Sequence, residues 1–259
     1  MKLKFLPPNP EYSAATALEF TKDDLSPFWK DVFFRFYRDI DPDRFTALNN
    51  NEKYEFLKNY FQSLQSEKHD ELMQKNARYN AYWHQHEKRI TASFEDIFDL
   101  DLTGVFNDLI AQTSFNPISP RYLSEHRFDH FYLESERGAM GTALHEITHF
   151  IWFLRWQNHF KDRADEYETP HLKWILSEMV VEPVMQKSGL AELNPYCASE
   201  SCVYPYFYSM RIDNTPILET LSAMLDKNPI TDFMEVSYRY CQKHEREIRQ
   251  QICRSEEEF

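Results

Sequence analysis

The chain has 259 residues, of which 42% are hydrophobic and 16% aromatic, enough for one sizeable core or for one large and one small domain. The formal net charge is −13 and no Lys/Arg cluster is present, which argues against nucleic-acid binding because that function usually requires a basic face. Only 4 residues are glycine, whereas a barrel or a sandwich needs many tight turns, so the composition favours a mostly helical protein.

The N-terminal sequence MKLKFLPPNPEYS contains no apolar segment of signal-peptide length and is interrupted by prolines. No run of about 18 apolar residues occurs, so no membrane span is predicted. The cysteines lack two CxxC pairs, which argues against a zinc ribbon and favours reduced thiols in a cytoplasmic protein. A disulfide between Cys197 and Cys202 is the alternative if the protein is exported.

The first half of the chain is predicted to be mainly helical. Residues 1–12 are expected to form an extended arm. Residues 21–40 carry apolar side chains at helical spacing, with Thr21 as a candidate N-cap, two aspartates in the first turn, and Pro27 as a rival start. Residues 50–90 are predicted to form one or two long helices.

The character of the sequence changes near residue 98, where short extended segments fit better than helix. Further helices are predicted from about residue 139, over 171–185 and over 217–253, with an irregular stretch at 189–216. We therefore expect a predominantly helical α+β protein. Its predicted regions are a helical N-terminal region at 1–97 and a catalytic unit at 98–259, or the two as one continuous compact unit.

The segment TALHEITHFIW contains the first candidate site residues of the sequence. His145 and His149 lie four positions apart, and on a helix they project from the same side. The opposite side is apolar, and Trp152 and Trp156 follow the histidines down their own side. A helix that is apolar on both sides is buried, so the histidines are predicted to lie at the open end of a buried helix.

The spacing of the two histidines is suitable for binding a metal ion. Two imidazoles at positions i and i+4 of a helix lie close enough to bind one tetrahedral zinc ion. Glu146 lies about 100° round the helix from His145, so it cannot join the histidines as a ligand in the same way. It is predicted instead to take a proton from the metal-bound water, whose pKa zinc lowers to about 7, and to pass it to a leaving amine.

The HExxH motif resembles that of the zincin metallopeptidases, which carry it on an active-site helix. In metzincins the motif continues as HExxHxxGxxH, but Trp152 and Arg155 occupy the last two of those positions here, which excludes that subclass. Gluzincins take a glutamate from a following helix, and HLKWILSEMVVEPV is similar to that helix. The resemblance implies a zincin-like catalytic unit with a small sheet.

The same resemblance implies the remaining site residues. Glu178 is the expected third ligand. Glu182 precedes Pro183, which biases its backbone away from helix, so it is expected to accept a hydrogen bond from a ligand histidine instead. His171 is the reserve candidate for the third ligand.

Zincins also use an edge strand to hold substrate and a tyrosine or histidine to stabilise the oxyanion. The segment RFDHFYLES is a candidate for the strand. Candidates for the oxyanion residue are Tyr208 and His244, with Tyr204 and Tyr206 as further tyrosines nearby.

The sequence therefore predicts a zinc-dependent peptide hydrolase of the gluzincin type with one zinc ion per chain. Its expected partner is a peptide or protein substrate, with no nucleic acid and no membrane. One alternative is a zincin-fold binding or regulatory protein without peptidase activity, and another is a metal-free helical protein. The substrate, the choice between exo- and endo-cleavage and the oligomeric state stay open.

Overall fold

A computed structural model describes residues 1–22, 27–162 and 164–257. Helices make up 68% of the structure, and most of the strands belong to one small mixed sheet. This confirms the predicted α+β class with predominant helix. Within the described residues, no helix is both long enough and apolar enough to span a membrane.

Groups of successive helices are separated by short strands along the described part of the chain. The helices are α1 (Pro10–Phe20), α2 (Pro27–Phe36), α3 (Pro42–Thr46), α4 (Asn50–Glu67), α5 (His69–Phe98), α6 (Glu136–Phe160), α7 (Leu172–Ser188), α8 (Pro195–Ala198), α9 (Pro205–Ser209), α10 (Ile217–Lys227) and α11 (Ile230–Glu257). The strands are β1 (Leu3–Leu6), β2 (Leu109–Ser114), β3 (Arg121–Tyr122), β4 (Arg127–Phe131), β5 (Arg211–Ile212) and β6 (Thr215–Pro216).

The chain forms two compact units, each built from two segments. The first unit comprises residues 1–85 and 106–139, and the second comprises residues 86–105 and 140–259. The division between residues 97 and 98 that the sequence suggests stays a prediction.

The first unit contains a mixed sheet in the order β1-β2-β4-β3. β1 and β4 both run parallel to β2, while β3 pairs antiparallel with β4 through Arg121 and Phe128. The candidate substrate strand RFDHF therefore forms β4, which has a neighbour on each side. The expectation that it is an edge strand was wrong, because the short β3 takes that place.

The N-terminal predictions need two corrections. Only Leu3–Leu6 of the expected arm is extended, since α1 begins at Pro10 with Asn9 as its N-cap. Thr21 is the C-cap of α1 and does not begin a helix. α2 begins at Pro27, the rival start, and the two aspartates expected in a first turn lie outside the described residues.

The second unit contains α7 and most of α6, the helices that carry the predicted metal ligands. α7, α10 and α11 pack against one another, and Trp152 of α6 contacts Phe233 of α11 edge to face. α7 is buried along nearly its whole length and continues through Pro183 to Ser188. Pro183 therefore does not divert Glu182 from the helix, contrary to the expectation, because the packing of the mostly buried α7 outweighs the local backbone preference. Gly189 ends α7 in the left-handed conformation.

Candidate metal centre

His145 and His149 lie on α6 within the second unit, one helical turn apart, and Glu178 lies in the middle of α7. His149 and Glu178 are 0% and 4% exposed, so neither is a solvated surface group. The side chain of His145 is 20% exposed. The structure thus brings together three side chains from two buried helices, although His145 and Glu178 are 33 positions apart in the sequence.

The three groups converge on one point. The Nε2 atoms of His145 and His149 lie 3.0 Å apart. Oε2 of Glu178 lies 3.4 Å from Nε2 of His145, and Oε1 lies 3.4 Å from Nε2 of His149. Among the residues that the structure describes, this is the one group of three or more His, Cys, Asp or Glu side chains whose ligand atoms all lie within 4.8 Å of one another.

The triangle of ligand atoms fits a small tetrahedral cation. In a tetrahedral zinc site with bonds of about 2.0–2.1 Å, neighbouring ligand atoms are about 3.3–3.4 Å apart. The two nitrogens lie 3.0 Å apart, and each lies 3.4 Å from a different oxygen of the Glu178 carboxylate, so these contacts are close to that spacing. Two imidazoles and one carboxylate form a donor set that can hold a metal ion.

Electrostatics follow from the same contacts. Burial alone would raise the pKa of Glu178, but the charges and hydrogen bonds of His149 and His145 outweigh it and hold that pKa well below its ordinary value. Burial lowers the pKa of His145, but the hydrogen bond to Glu178 and the charges of Glu146 and Glu178 outweigh this effect and raise it. The carboxylate is therefore ionised, which is the form that binds a cation.

The main chain orients His145. Its Nδ1 lies 2.9 Å from the carbonyl oxygen of Cys202, and because a carbonyl can only accept, Nδ1 carries the proton and donates. The neutral ring then has its lone pair on Nε2, the atom that faces His149 and Glu178. Hydrogen bonds of this kind fix the tautomer and the orientation of metal-binding histidines.

Glu146 lies beside the group without being part of it. Its side chain is buried at 7% exposure, and its charge contributes to the raised pKa of His145. Glu146 is thus a buried carboxylate close enough to His145 to affect its charge, and it is not one of the three converging groups.

The loop between α6 and α7 is held to both helices through Asp162. The Asp162 carboxylate accepts hydrogen bonds from Nε1 of Trp156 at 2.8 Å, from the hydroxyl of Tyr167 at 2.7 Å and from Nζ of Lys173 at 2.6 Å. Trp156 lies on α6 and Lys173 on α7, and Tyr167 also stacks on Phe153 at 4.2 Å. These contacts fix the two helices that carry the ligand atoms.

Glu182 and Tyr208 are linked to the site through Cys202. The Tyr208 hydroxyl accepts a hydrogen bond from the Cys202 N–H at 3.1 Å and donates one to Glu182. Burial raises the pKa of Glu182, and burial together with the Glu182 charge raises that of Tyr208. The acceptor of the hydrogen bond from Nδ1 of His145 is thus the Cys202 carbonyl, and Tyr208 connects Glu182 to Cys202.

The other predicted residues are not among the three side chains that converge at the candidate metal site. His171 is the exposed N-cap residue of α7 and does not belong to the metal-binding group. His244 lies on α11, 3.9 Å from carboxylate oxygens of Asp213 and Glu247. The rings of Tyr204 and Tyr206 stack on each other at 5.3 Å.

Sequence reasoning missed the loop that holds His145. Asn194 and Tyr196 pack directly against Gly141 of α6, where an added Cβ would lie 2.7 Å from each of them. Gly141 is one turn before His145, so the loop that begins at Asn194 covers the face of α6 that carries the histidines. A glycine inside a helical pattern, in a chain with so few glycines, was the available signal of such a close approach.

Comparison of the chain with known protein families, with characterised proteins and with solved structures finds no match in any of the three.

Proposed function

We propose that the protein is a zinc-dependent peptide hydrolase of the gluzincin type. The observation that carries the proposal is the convergence of three side chains beside the buried Glu146: the Nε2 atoms of His145 and His149 lie 3.0 Å apart, and each lies 3.4 Å from one oxygen of the Glu178 carboxylate. The HExxH motif and the glutamate on a following helix resemble the gluzincin pattern, and the helix-borne ligands in the structure support that resemblance.

The protein's own residues take these roles in the proposed reaction. His145, His149 and Glu178 hold the metal ion, and the Cys202 carbonyl keeps the His145 ring oriented. Zinc, when bound, acts as a Lewis acid that polarises the scissile carbonyl and lowers the pKa of a coordinated water to about 7. The Glu146 carboxylate accepts a proton from the attacking water and later donates it to the leaving amine nitrogen.

Proton transfer by a positioned side chain contributes about 10²–10⁴-fold to a rate. Glu146→Gln keeps the size of the side chain but removes the base. We therefore expect this variant to bind zinc as the wild type does and to lose at least about 100-fold in hydrolysis of a quenched fluorescent peptide library. Zinc content is measured by elemental analysis of the same samples.

Glu219→Gln serves as the matched control, because Glu219 is an exposed glutamate on α10 of the same unit. It should retain both zinc and hydrolysis. Hydrolysis by Glu146→Gln at the wild-type rate, or a fully zinc-loaded wild type that cleaves no member of the library, would refute the proposal. The second result would favour a binding or regulatory role for the same metal centre.

A further inference from the structure

Two buried cysteines lie against each other beside the metal centre. Sγ of Cys197 is 2.8 Å from Sγ of Cys202, and the residues are 8% and 3% exposed. Both are free thiols. We propose that Cys197 and Cys202 form a reversible disulfide that secures the loop holding His145.

The backbone brings the two cysteines together. The carbonyl oxygen of Tyr196 accepts hydrogen bonds from the N–H of Ser199 at 3.3 Å and from the N–H of Ser201 at 2.9 Å. Glu200 takes the left-handed conformation, with φ of 50°, which reverses the chain. The turns of the loop therefore bring the two residues, five positions apart, close enough for their thiols to meet.

One of the two thiols belongs to the residue that orients His145. The Cys202 carbonyl accepts from Nδ1 of His145 at 2.9 Å, while the Cys202 N–H donates to the Tyr208 hydroxyl at 3.1 Å. Nδ2 of Asn194 lies 3.4 Å from Sγ of Cys202 and 3.4 Å from the carbonyl oxygen of Gly141 on α6. A covalent bond at Cys202 thus acts on a residue already fixed on three sides.

The chemistry is an exchange with a small-molecule disulfide such as glutathione disulfide. The Cys197 sulfur attacks one sulfur of the oxidant and the first glutathione leaves. The Cys202 sulfur then attacks Cys197 in the mixed disulfide, and the second glutathione leaves. The two protein thiols are oxidised, one glutathione disulfide is reduced, and the two thiol protons end on the two glutathione molecules.

Little movement is needed to close the bond. A disulfide has a sulfur–sulfur distance of about 2.05 Å, so the two atoms approach by less than 1 Å from their separation of 2.8 Å. The oxidised loop can therefore keep the Cys202 carbonyl at His145 while it loses freedom to open. Loss of such an outer partner costs about 10–100-fold in metal affinity, so we expect the disulfide to raise the affinity by up to about tenfold.

The disulfide is tested on the metal-free full chain in glutathione buffers of increasing oxidising ratio. Differential alkylation followed by peptide mass spectrometry reports which cysteines are paired. We expect one disulfide, between Cys197 and Cys202, with Cys241 and Cys253 still alkylated as free thiols. A chain that stays folded but forms no bond between these two residues at any ratio overturns the proposal.

The effect on the site is tested by titration of the oxidised and reduced chains with Co²⁺, followed by its visible absorption. This part of the inference rests on the proposed metal centre. The oxidised chain should bind Co²⁺ more tightly, and Cys197→Ser should match the reduced wild type in both buffers. If the oxidised chain binds Co²⁺ equally or more weakly, the disulfide does not secure the loop at His145 and this part of the proposal is wrong. If neither the oxidised nor the reduced chain binds Co²⁺, the proposed metal centre is refuted. The alkylation experiment still decides whether the disulfide forms.

Discussion

The Nδ1 of His145 and the main-chain carbonyl of Cys202 lie 2.9 Å apart, although 57 positions separate the two residues. This hydrogen bond links the HExxH helix to a loop that no sequence motif identifies. Because it directs the Nε2 lone pair towards His149 and Glu178, the geometry of the site depends on the loop as well as on the two helices.

Glu178→Gln tests the third ligand. Glutamine keeps the shape of the side chain but removes the negative charge that faces both histidines at 3.4 Å. We expect zinc affinity to fall by more than about 100-fold, beyond the loss typical of an outer partner. Competition with a fluorescent zinc chelator measures the affinity of each variant.

Glu182→Gln is the matched control for that experiment, since Glu182 lies one turn further along α7 and outside the ligand group. Its affinity should fall less than that of Glu178→Gln. Unfolding gives a second measurement, because zinc at about 1,000 times its Kd should stabilise the wild type by about 4 kcal/mol. If Glu182→Gln loses zinc and Glu178→Gln retains it, the assignment of the third ligand is wrong.

Tyr208→Phe tests the support behind Cys202. The variant removes the hydroxyl that accepts from the Cys202 N–H and leaves Glu182 without that donor. We expect zinc affinity to fall about tenfold, at the lower end of the range of about 10–100-fold found for outer partners, with helix content unchanged. Tyr238→Phe, whose ring packs on Trp156 in the same unit, should bind zinc normally. Unchanged affinity in Tyr208→Phe would show that the loop holds Cys202 without the hydroxyl.

The sequence was sufficient to predict the helical half of the site. Periodicity placed His145 and His149 on one side of a buried helix, and that helix forms with Trp152 fully buried. Glu178 was chosen by resemblance and by an argument from Pro183 that the continuous α7 does not support, yet the structure brings it to both histidines.

The contribution of the loop could not be predicted, for a physical reason. A main-chain carbonyl can come from any residue type, so the hydrogen bond from His145 to Cys202 leaves no compositional trace. The N-terminal helix α1 was missed because its proline-rich start suggests an extended arm, although Pro10 suits the first turn of a helix once Asn9 caps it.

Gly141→Ala tests how closely the loop must approach α6. Alanine favours helix by about 1 kcal/mol over glycine, so an isolated helix would gain stability. Here the new Cβ would lie 2.7 Å from both Asn194 and Tyr196, so the loop must shift, at a cost of about 1–3 kcal/mol. We expect a less stable protein that also binds zinc more weakly. Stability that rises with zinc affinity unchanged would show that the loop moves freely.

Asp162→Asn tests the connection between α6 and α7 through its pH dependence. Burial raises the pKa of Asp162, but hydrogen bonds from Lys173, Trp156 and Tyr167 outweigh it and lower the pKa below its ordinary value of 3.8. The folded state therefore favours the ionised carboxylate. Its contribution to stability is present above about pH 4 and is lost as the pH falls through the lowered pKa.

At pH 7 we expect Asp162→Asn to lower the free energy of unfolding by about 1–2 kcal/mol, the range for a charge-assisted hydrogen bond that is partly exposed. The difference from the wild type should stay constant down to about pH 5 and shrink below pH 4, because protonation then removes the same charge from the wild type. Urea unfolding at several pH values measures it. Asp165→Asn, at an exposed position of the same loop, should show neither effect, and a constant difference at all pH values would contradict the assigned role of the charge.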